Sequence, residues 1–498
     1  MAKTLMIVGT SSGAGKSLLV SALGRLALKR GFKVAPFKAQ NMSLQSYITL
    51  DGGEIGLAQA LQAKACGVEP EVHFNPILLK AEGKQGSQVI LHGKVYKTLK
   101  PEKYYQEKDK LWDYVKASLK YLSKKYELLI IEGAGSPAEI NLLDVDIVNM
   151  RVAEYLNSPV FLVGDIDKGG VFASLYGTME LLKFYKARWF SLIKGFIINK
   201  FRGDARILLP GIKKLEKLSN KNCYGIIPYF ENLAISEEDG FNLPTRKEFL
   251  AREKDFIKIT VLRLKYISNF YDFDPFRWEP DVELVYSLRT EDIVNADIII
   301  IPGSKKTIED LKTLKKLGIK EVLKKALRRG AELIGICGGF QMLGEVIKDP
   351  FQVESMKKEI KTLGFLEVET EFYPEKITTQ VEASSLIEKD FHKLWGYEIH
   401  MGRTFGNLNL FKIKRLATGE ETLDGFIKGR VWGTYLHGIF HNDSFRRALI
   451  NRHRIKKGWK PIEFTYSYNK FLERNFNFLA DLIEKHLEIE KIFELIKK

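Results

Sequence analysis

A chain of 498 residues is long enough to form two or three domains, each burying its own core, and 45% hydrophobic with 28% charged residues reads as an ordinary soluble globular protein. Apolar runs such as Ile298–Ile301 are too short to span a bilayer, which excludes a membrane helix and leaves no membrane partner to expect. The net charge of +16 would suit a polyanion, but acids and bases are mixed, as from Glu309 to Arg329, and no zinc-finger spacing or aromatic RNA-binding signature accompanies it. A solvated, Lys-rich surface is the expected reading, with no nucleic-acid partner. The three cysteines, Cys66, Cys223 and Cys337, cannot all pair and are read as free thiols. Met1 leads directly into a strand-like Thr4-Leu5-Met6-Ile7-Val8 with no secretion-type segment, so the cytoplasm is the expected compartment.

Along the chain, short aliphatic runs alternate with helical patterns: Leu5 to Val8, Lys33 to Phe37, Leu128 to Ile131, Val160 to Val163 and Gly195 to Ile198. That alternation predicts a parallel, helix-covered sheet, an α/β architecture. From Ser236 to Asp255 the sequence turns polar and charged, and a second strand series then starts at Ile257 to Leu264, Glu283 to Tyr286 and Asp297 to Ile301. The expected division is therefore 1–235, a linker at 236–255, a second domain at 256–450 and a helical extension at 451–498. In that extension Leu472, Phe476, Leu479 and Ile483 recur on one helix face, which predicts a packed terminal helix.

The first chemical motif, Gly9-Thr10-Ser11-Ser12-Gly13-Ala14-Gly15-Lys16-Ser17, lies between the first strand and an apolar-periodic helix through Leu18, Leu19, Leu23 and Leu26. Glycines let backbone N–H groups crowd around phosphate oxygens, Lys16 reaches the terminal phosphates, and Ser17 can hold Mg²⁺. Thr10, Gly13, Gly15, Lys16 and Ser17 are the expected nucleotide-binding residues. Thr10 stands where a strict P-loop has glycine, so the match is to the variant with its first glycine one place earlier. A carboxylate at the end of Leu128-Leu129-Ile130-Ile131-Glu132 makes Glu132 the metal candidate beside Ser17, with Asp51 and Glu54 as weaker ones. Gly164 to Gly170 and Ile198 to Asp204 also follow strands, and put polar groups on the same rim.

The second motif, Glu332-Leu333-Ile334-Gly335-Ile336-Cys337-Gly338-Gly339-Phe340-Gln341, runs from a strand through a Gly-x-Cys-x-Gly turn into a helix. A sharp turn of this kind exposes the sulfur and favours the thiolate, which makes Cys337 the expected nucleophile and leaves Cys66 and Cys223 structural. His437, in Tyr435-Leu436-His437-Gly438, is the expected base, with His400 and His441 as competitors. Pro302-Gly303-Ser304 follows another apolar strand, so Gly303 and Ser304, together with Gly338, are expected to form an oxyanion hole.

The P-loop variant resembles that of the dethiobiotin synthetase-like ATPases, and the Cys337, His437 and Pro302-Gly303-Ser304 segments resemble class I glutamine amidotransferases of flavodoxin-like fold. Most of that class carry an acid two positions after the histidine, where this chain has Ile439; the cobyrinate-type branch lacks it and places its glutaminase behind such an ATPase. Phe37-Lys38-Ala39-Gln40-Asn41-Met42-Ser43, Gly53-Glu54-Ile55-Gly56-Leu57-Ala58-Gln59-Ala60-Leu61-Gln62-Ala63, Asn75-Pro76-Ile77-Leu78-Leu79-Lys80 and Gly396-Tyr397-Glu398-Ile399-His400-Met401-Gly402-Arg403-Thr404 resemble the cobyric acid synthase family within that branch. The resemblance implies an ATP- and Mg²⁺-dependent amidoligase at 1–235 and a glutaminase at 256–450. Its implied substrates are L-glutamine and adenosylcobyrinic acid a,c-diamide, amidated at the b, d, e and g carboxylates, with Asn41, Ser43, Glu54 and Gln59 as substrate contacts. An oligomer stays open. CTP synthase, the relative acting on cobyrinic acid, and a P-loop switch of the partitioning-protein type are the rivals.

Overall fold

The computed structural model describes residues 2–82, 86–230, 255–388 and 390–497. These form two compact units. The first takes the described residues up to Ser43, those from Glu54 to 230, and those from Phe471 on; the second takes Leu44–Gly53 and 255 to Lys470. This differs from the expected division in two places: ten residues from the amino-terminal sequence belong to the second unit, and the end of the chain belongs to the first. The expected linker at 236–255 lies, apart from Asp255, outside the described residues.

The first unit is built on six parallel strands, β1 (Lys3–Gly9), β2 (Val34–Phe37), β3 (Leu128–Glu132), β4 (Val160–Asp165), β5 (Ile193–Phe201) and β6 (Asn222–Pro228), in the order β6-β5-β4-β1-β3-β2. The central strands β1, β3 and β4 are buried on both faces, which is why their sequences are nearly continuous Leu, Ile and Val rather than alternating. Helix α1 (Lys16–Lys29) leaves the carboxyl end of β1, and α2 (Leu57–Ala65) packs near it. The loops after β1, β3, β4 and β5 share the carboxyl rim, where open α/β sheets place ligands.

In the second unit, β7 (Ile257–Leu262), β8 (Val282–Ser287), β9 (Ile298–Ile301) and β10 (Glu332–Ile336) run parallel. Helix α3 (Gly338–Leu343) follows β10. A second, antiparallel layer pairs β11 (Glu369–Ser385) with β12 (Leu394–Phe405). Strand β13 (Phe426–Lys428) pairs antiparallel with β14 (Val431–Thr434), and the main sheet reads β8-β7-β9-β10-β14-β13. The first five positions follow the 2-1-3-4-5 order of flavodoxin-like sheets, as expected.

Helices α4 (Tyr468–His486) and α5 (Ile489–Lys497) close the chain. From Leu479 onward their apolar face packs with Leu5, Ile7, Leu19 and Leu23 of the first unit, each such buried side chain contributing about 1.5–3 kcal/mol. Lys29 with Asp481, and Arg30 with Glu484 and Glu490, edge that packing with ion pairs. The terminal helices thus complete the first unit's core instead of forming a separate extension. No helix among the described residues is long and apolar enough to cross a membrane.

Candidate active sites

The P-loop is braced by the loops that follow β4 and β5. Gly15 caps α1 at φ +93°, and a Cβ there would lie 2.1 Å from Asn199 Nδ2, so the position demands glycine twice over. Asn199 Nδ2 donates to Ala14 O at 2.9 Å, while Lys200 Nζ donates to Gly13 O at 2.7 Å and pairs with Asp165 at 3.1 Å. The polar rim expected after these strands therefore holds the loop's carbonyls, freeing its N–H groups to converge. Lys16 is buried, its Nζ donating to Ser11 O at 2.9 Å and Gly135 O at 3.2 Å. Thr10 differs from the expectation in one respect: its N–H donates to Val163 O at 2.9 Å and extends the sheet.

Glu132, at the end of β3, is 1% exposed and collects three donors. Ser17 Oγ and Lys38 Nζ each donate to Oε1 at 2.8 Å, and Gln62 Nε2 donates to Oε2 at 2.5 Å. Burial alone would raise its pKa, but Lys38, Gln62 and Lys16 overturn that and hold it below the usual carboxylate range. Gln62 Oε1 is buried without a partner among the described residues. A hydroxyl, a carboxylate and an orphaned amide oxygen are hard donors that fit Mg²⁺, an ion that usually takes one or two protein ligands beside water and phosphate. Among the described residues no three His, Cys, Asp or Glu side chains cluster to hold an ion by themselves. Asp51 belongs to the second unit, is exposed, and its carboxylate accepts from the Thr49 hydroxyl.

The four expected substrate contacts are all buried in the first unit. Asn41 Nδ2 donates to Gln59 Oε1 at 3.0 Å, the Ser43 N–H donates to Leu79 O at 3.1 Å, and Glu54 pairs with Lys80 at 2.7 Å. Gly56 admits this lattice, since a Cβ there would lie 2.5 Å from Asn41 Nδ2 and 2.6 Å from Gln59 Oε1. Hydrogen bonding inside the fold is thus their first role.

In the second unit Cys337 sits at φ +51°, ψ −108°, a backbone strain that a non-glycine residue keeps only when its surroundings enforce it. The enforcement is visible on both sides: Cys337 N–H donates to Thr434 O at 2.8 Å, and a Cβ on Gly339 would lie 1.9 Å from Ile301 O. His437 is 1% exposed and near enough to Cys337 for the sulfur to help raise its pKa, while the Cys337 thiol itself donates to Ile399 O at 3.6 Å. A Cβ on Gly303 would come 3.1 Å from His437 Cε1, and one on Gly338 would come 3.0 Å from Ser304 N. The expected nucleophile, base and oxyanion residues therefore converge.

The residue that sequence reasoning missed is Asp272. It lies on the turn Phe270–Phe273, after the first strand of the sheet, and its Oδ2 meets His437 Nδ1 at 2.6 Å while Oδ1 accepts from Gly438 N–H at 2.9 Å. Burial would depress the His437 pKa, but the Asp272 carboxylate and the Cys337 sulfur outweigh it and raise the value to about 10. Ile439, in the place where most of the class have an acid, is fully buried in the core. The overlooked signal was an acid set among aromatics, Phe270-Tyr271-Asp272-Phe273, at the carboxyl rim of a buried strand. The competing histidines are engaged elsewhere. His400 meets Gly402 O at 2.6 Å and Glu398 Oε1 at 3.1 Å, and His441 meets Tyr271 O at 3.0 Å.

Residues 5–243 match the CobQ/CobB/MinD/ParA nucleotide binding domain, and residues 258–445 match the CobB/CobQ-like glutamine amidotransferase domain. The chain is 60% identical over 495 residues to the cobyric acid synthase of Thermodesulfovibrio yellowstonii, covering 99% of each. It is 46% identical to that of a Thermoanaerobacter species over 511 residues and 47% identical to that of Clostridium botulinum over 504, in both cases covering 100% of this chain and 99% of the other. A P-loop unit and a Cys-His amidotransferase unit, matched end to end at this identity, establish that the chain belongs to the cobyric acid synthase family of glutamine-dependent amidotransferases.

Proposed function

We propose that the protein converts adenosylcobyrinic acid a,c-diamide to cobyric acid, amidating the b, d, e and g carboxylates with ammonia from L-glutamine at the expense of ATP. The observation that carries this reading is the convergence of Cys337, His437 and Asp272 at a strained elbow, in a chain that also builds a braced P-loop. Cys337 as thiolate attacks the glutamine side-chain carbonyl while the N–H groups around Ser304 and Gly338 face the developing oxyanion. The C–N bond breaks as His437 gives its proton to the departing ammonia, leaving a glutamyl thioester. His437 then takes a proton from water, which hydrolyses the thioester to glutamate and restores the thiolate. Asp272 keeps the imidazole oriented with Nδ1 toward the carboxylate throughout.

A carboxylate is a poor electrophile, so the acceptor attacks the γ-phosphorus of ATP and becomes an acyl phosphate, releasing ADP; ammonia then displaces phosphate to give the amide. Lys16 and the loop's N–H groups orient the phosphates. Mg²⁺, when held by Ser17 and Glu132, supplies charge neutralisation on the phosphates. Such a reaction calls for no nucleic-acid or membrane partner, and we place it in the cytoplasm, where ATP and glutamine are available.

Two variants test the division of labour. Cys337→Ala is expected to lose glutamine-driven amidation and keep ammonia-driven amidation, whereas Lys16→Ala loses both. Loss of both in Cys337→Ala would refute a separate glutaminase, and normal turnover by Lys16→Ala would refute the P-loop reading.

A further inference from the structure

The matched amidotransferase segment, residues 258–445, does not contain the decapeptide Leu44–Gly53, yet that decapeptide belongs to the second unit. It is not a loose graft. Ser46, Ile48 and Thr49 are at most 1% exposed, Gln380 Nε2 donates to Ile48 O at 2.8 Å, and Thr378 Oγ1 donates to Gly52 O at 2.8 Å.

Two arms lead from it to the Asp272–His437 pair. On the first, the Ser46 N–H donates to Asn269 Oδ1 at 2.9 Å. Asn269 is buried and held in the left-handed region at φ 51°, ψ 40°, and its carbonyl accepts from the Asp272 N–H at 3.0 Å, so it begins the turn that aims the Asp272 carboxylate. On the second, the Tyr47 ring lies 6.3 Å from Trp395 and 6.2 Å from Tyr397, and Tyr397 Oη reaches Ser46 O at 3.5 Å. Tyr397 in turn stacks on the His437 imidazole at 5.2 Å and 17°, and the two exchange backbone hydrogen bonds of 2.9 and 3.1 Å. Each partner of the pair thus reaches this segment through a single intervening residue.

We propose that residues 44–53, acting through Asn269 and Tyr397, position Asp272 and His437 for Cys337, so that the glutaminase is complete only with a segment drawn from the amino-terminal part of the sequence. The inference rests on the Cys337–His437 reading above. A displacement of about 1 Å in a reacting group can cost on the order of 100-fold in rate, so loosening either arm has a measurable price.

The test uses the full chain and follows glutamine hydrolysis. Asn269→Gly keeps the left-handed backbone but removes the acceptor for Ser46. It is expected to lower kcat for glutamine about 10-fold with KM within about twofold, and to bring the alkaline limb of the pH–rate profile down toward neutrality. Asn269→Asp, which retains an acceptor oxygen, is expected to restore most of the rate, a rescue that a general loss of packing would not give. Tyr47→Ala tests the second arm independently, with a similar expected loss, and decides the matter if Asn269→Gly melts early. Cys337→Ser is the control: glutamine hydrolysis by that variant would overturn the glutaminase reading itself. If Cys337→Ser is inactive while Asn269→Gly or Tyr47→Ala runs at the parent rate with an unmoved alkaline limb, the positioning inference alone is overturned.

Discussion

Replacing Asp272 with Asn removes one charge and almost no volume from the glutaminase. The carboxylate makes two hydrogen bonds, to His437 Nδ1 at 2.6 Å and to Gly438 N–H at 2.9 Å, and it helps raise the His437 pKa to about 10 despite full burial. A hydrogen bond to an ionised group contributes about 1.5–3 kcal/mol, so losing the charge on the imidazolium side should slow glutamine hydrolysis roughly 10- to 100-fold. The sign of the pH effect follows from the same pair. A histidine whose folded pKa is raised stabilises the fold fully below its unfolded value near 6.5, and loses that contribution as pH rises through about 10. In Asp272→Asn the alkaline limb of kcat/KM for glutamine should therefore move down toward neutral pH, and the alkaline loss of stability should shrink. Steady-state hydrolysis from pH 6 to 10, with ammonia-driven amidation as the internal reference, measures both effects. An unchanged kcat/KM with an unmoved limb would refute the role given to Asp272.

The other predictions concern the two frameworks. Gly15→Ala forces a side chain into φ +93° and against Asn199 Nδ2, so ATP affinity measured by calorimetric titration should fall at least roughly 10-fold; binding within twofold would contradict the bracing of the loop. Glu398 pairs with Arg415 at 2.7 Å and His400 at 3.1 Å. Burial opposes ionisation there, but these partners hold its pKa down to about 2, so its contribution is present above the unfolded value near 4.3 and lost as pH falls through about 2. Glu398→Gln should cost about 3 kcal/mol by leaving the buried cationic side unbalanced, seen as a lower Tm at neutral pH; an unchanged Tm would show that the pair does not stabilise the second unit.

Legibility in the sequence followed how local the physical constraint was. The P-loop was readable because phosphate binding needs glycines and a lysine at fixed spacing, and Gly13, Gly15 and Lys16 announce themselves within one turn. Cys337 was readable for the same reason, since a strand ending in a glycine-flanked thiol is a local pattern. Asp272 was not, because its partner His437 is separated from it by most of the second unit and the usual place for the acid is filled by core residue Ile439. The apolar face of the terminal helix was visible at Leu479 and Ile483, but periodicity records that a face is buried and not what covers it; here it covers Leu5 and Ile7. Nothing local marks Leu44–Gly53 as part of the second unit, since its buried contacts with Thr378, Gln380 and Tyr397 come from distant sequence. Asp51 shows the same limit, because an acid in a glycine-rich turn looks the same in sequence whether it accepts from a neighbouring hydroxyl, as it does here from Thr49, or binds an ion.

Product mass after incubation of the protein with adenosylcobyrinic acid a,c-diamide, ATP and glutamine tests the central claim most directly. Four successive amide additions, each requiring both ATP and glutamine, are the predicted result. ATP and glutamine turnover with no amide added to this acceptor would contradict it.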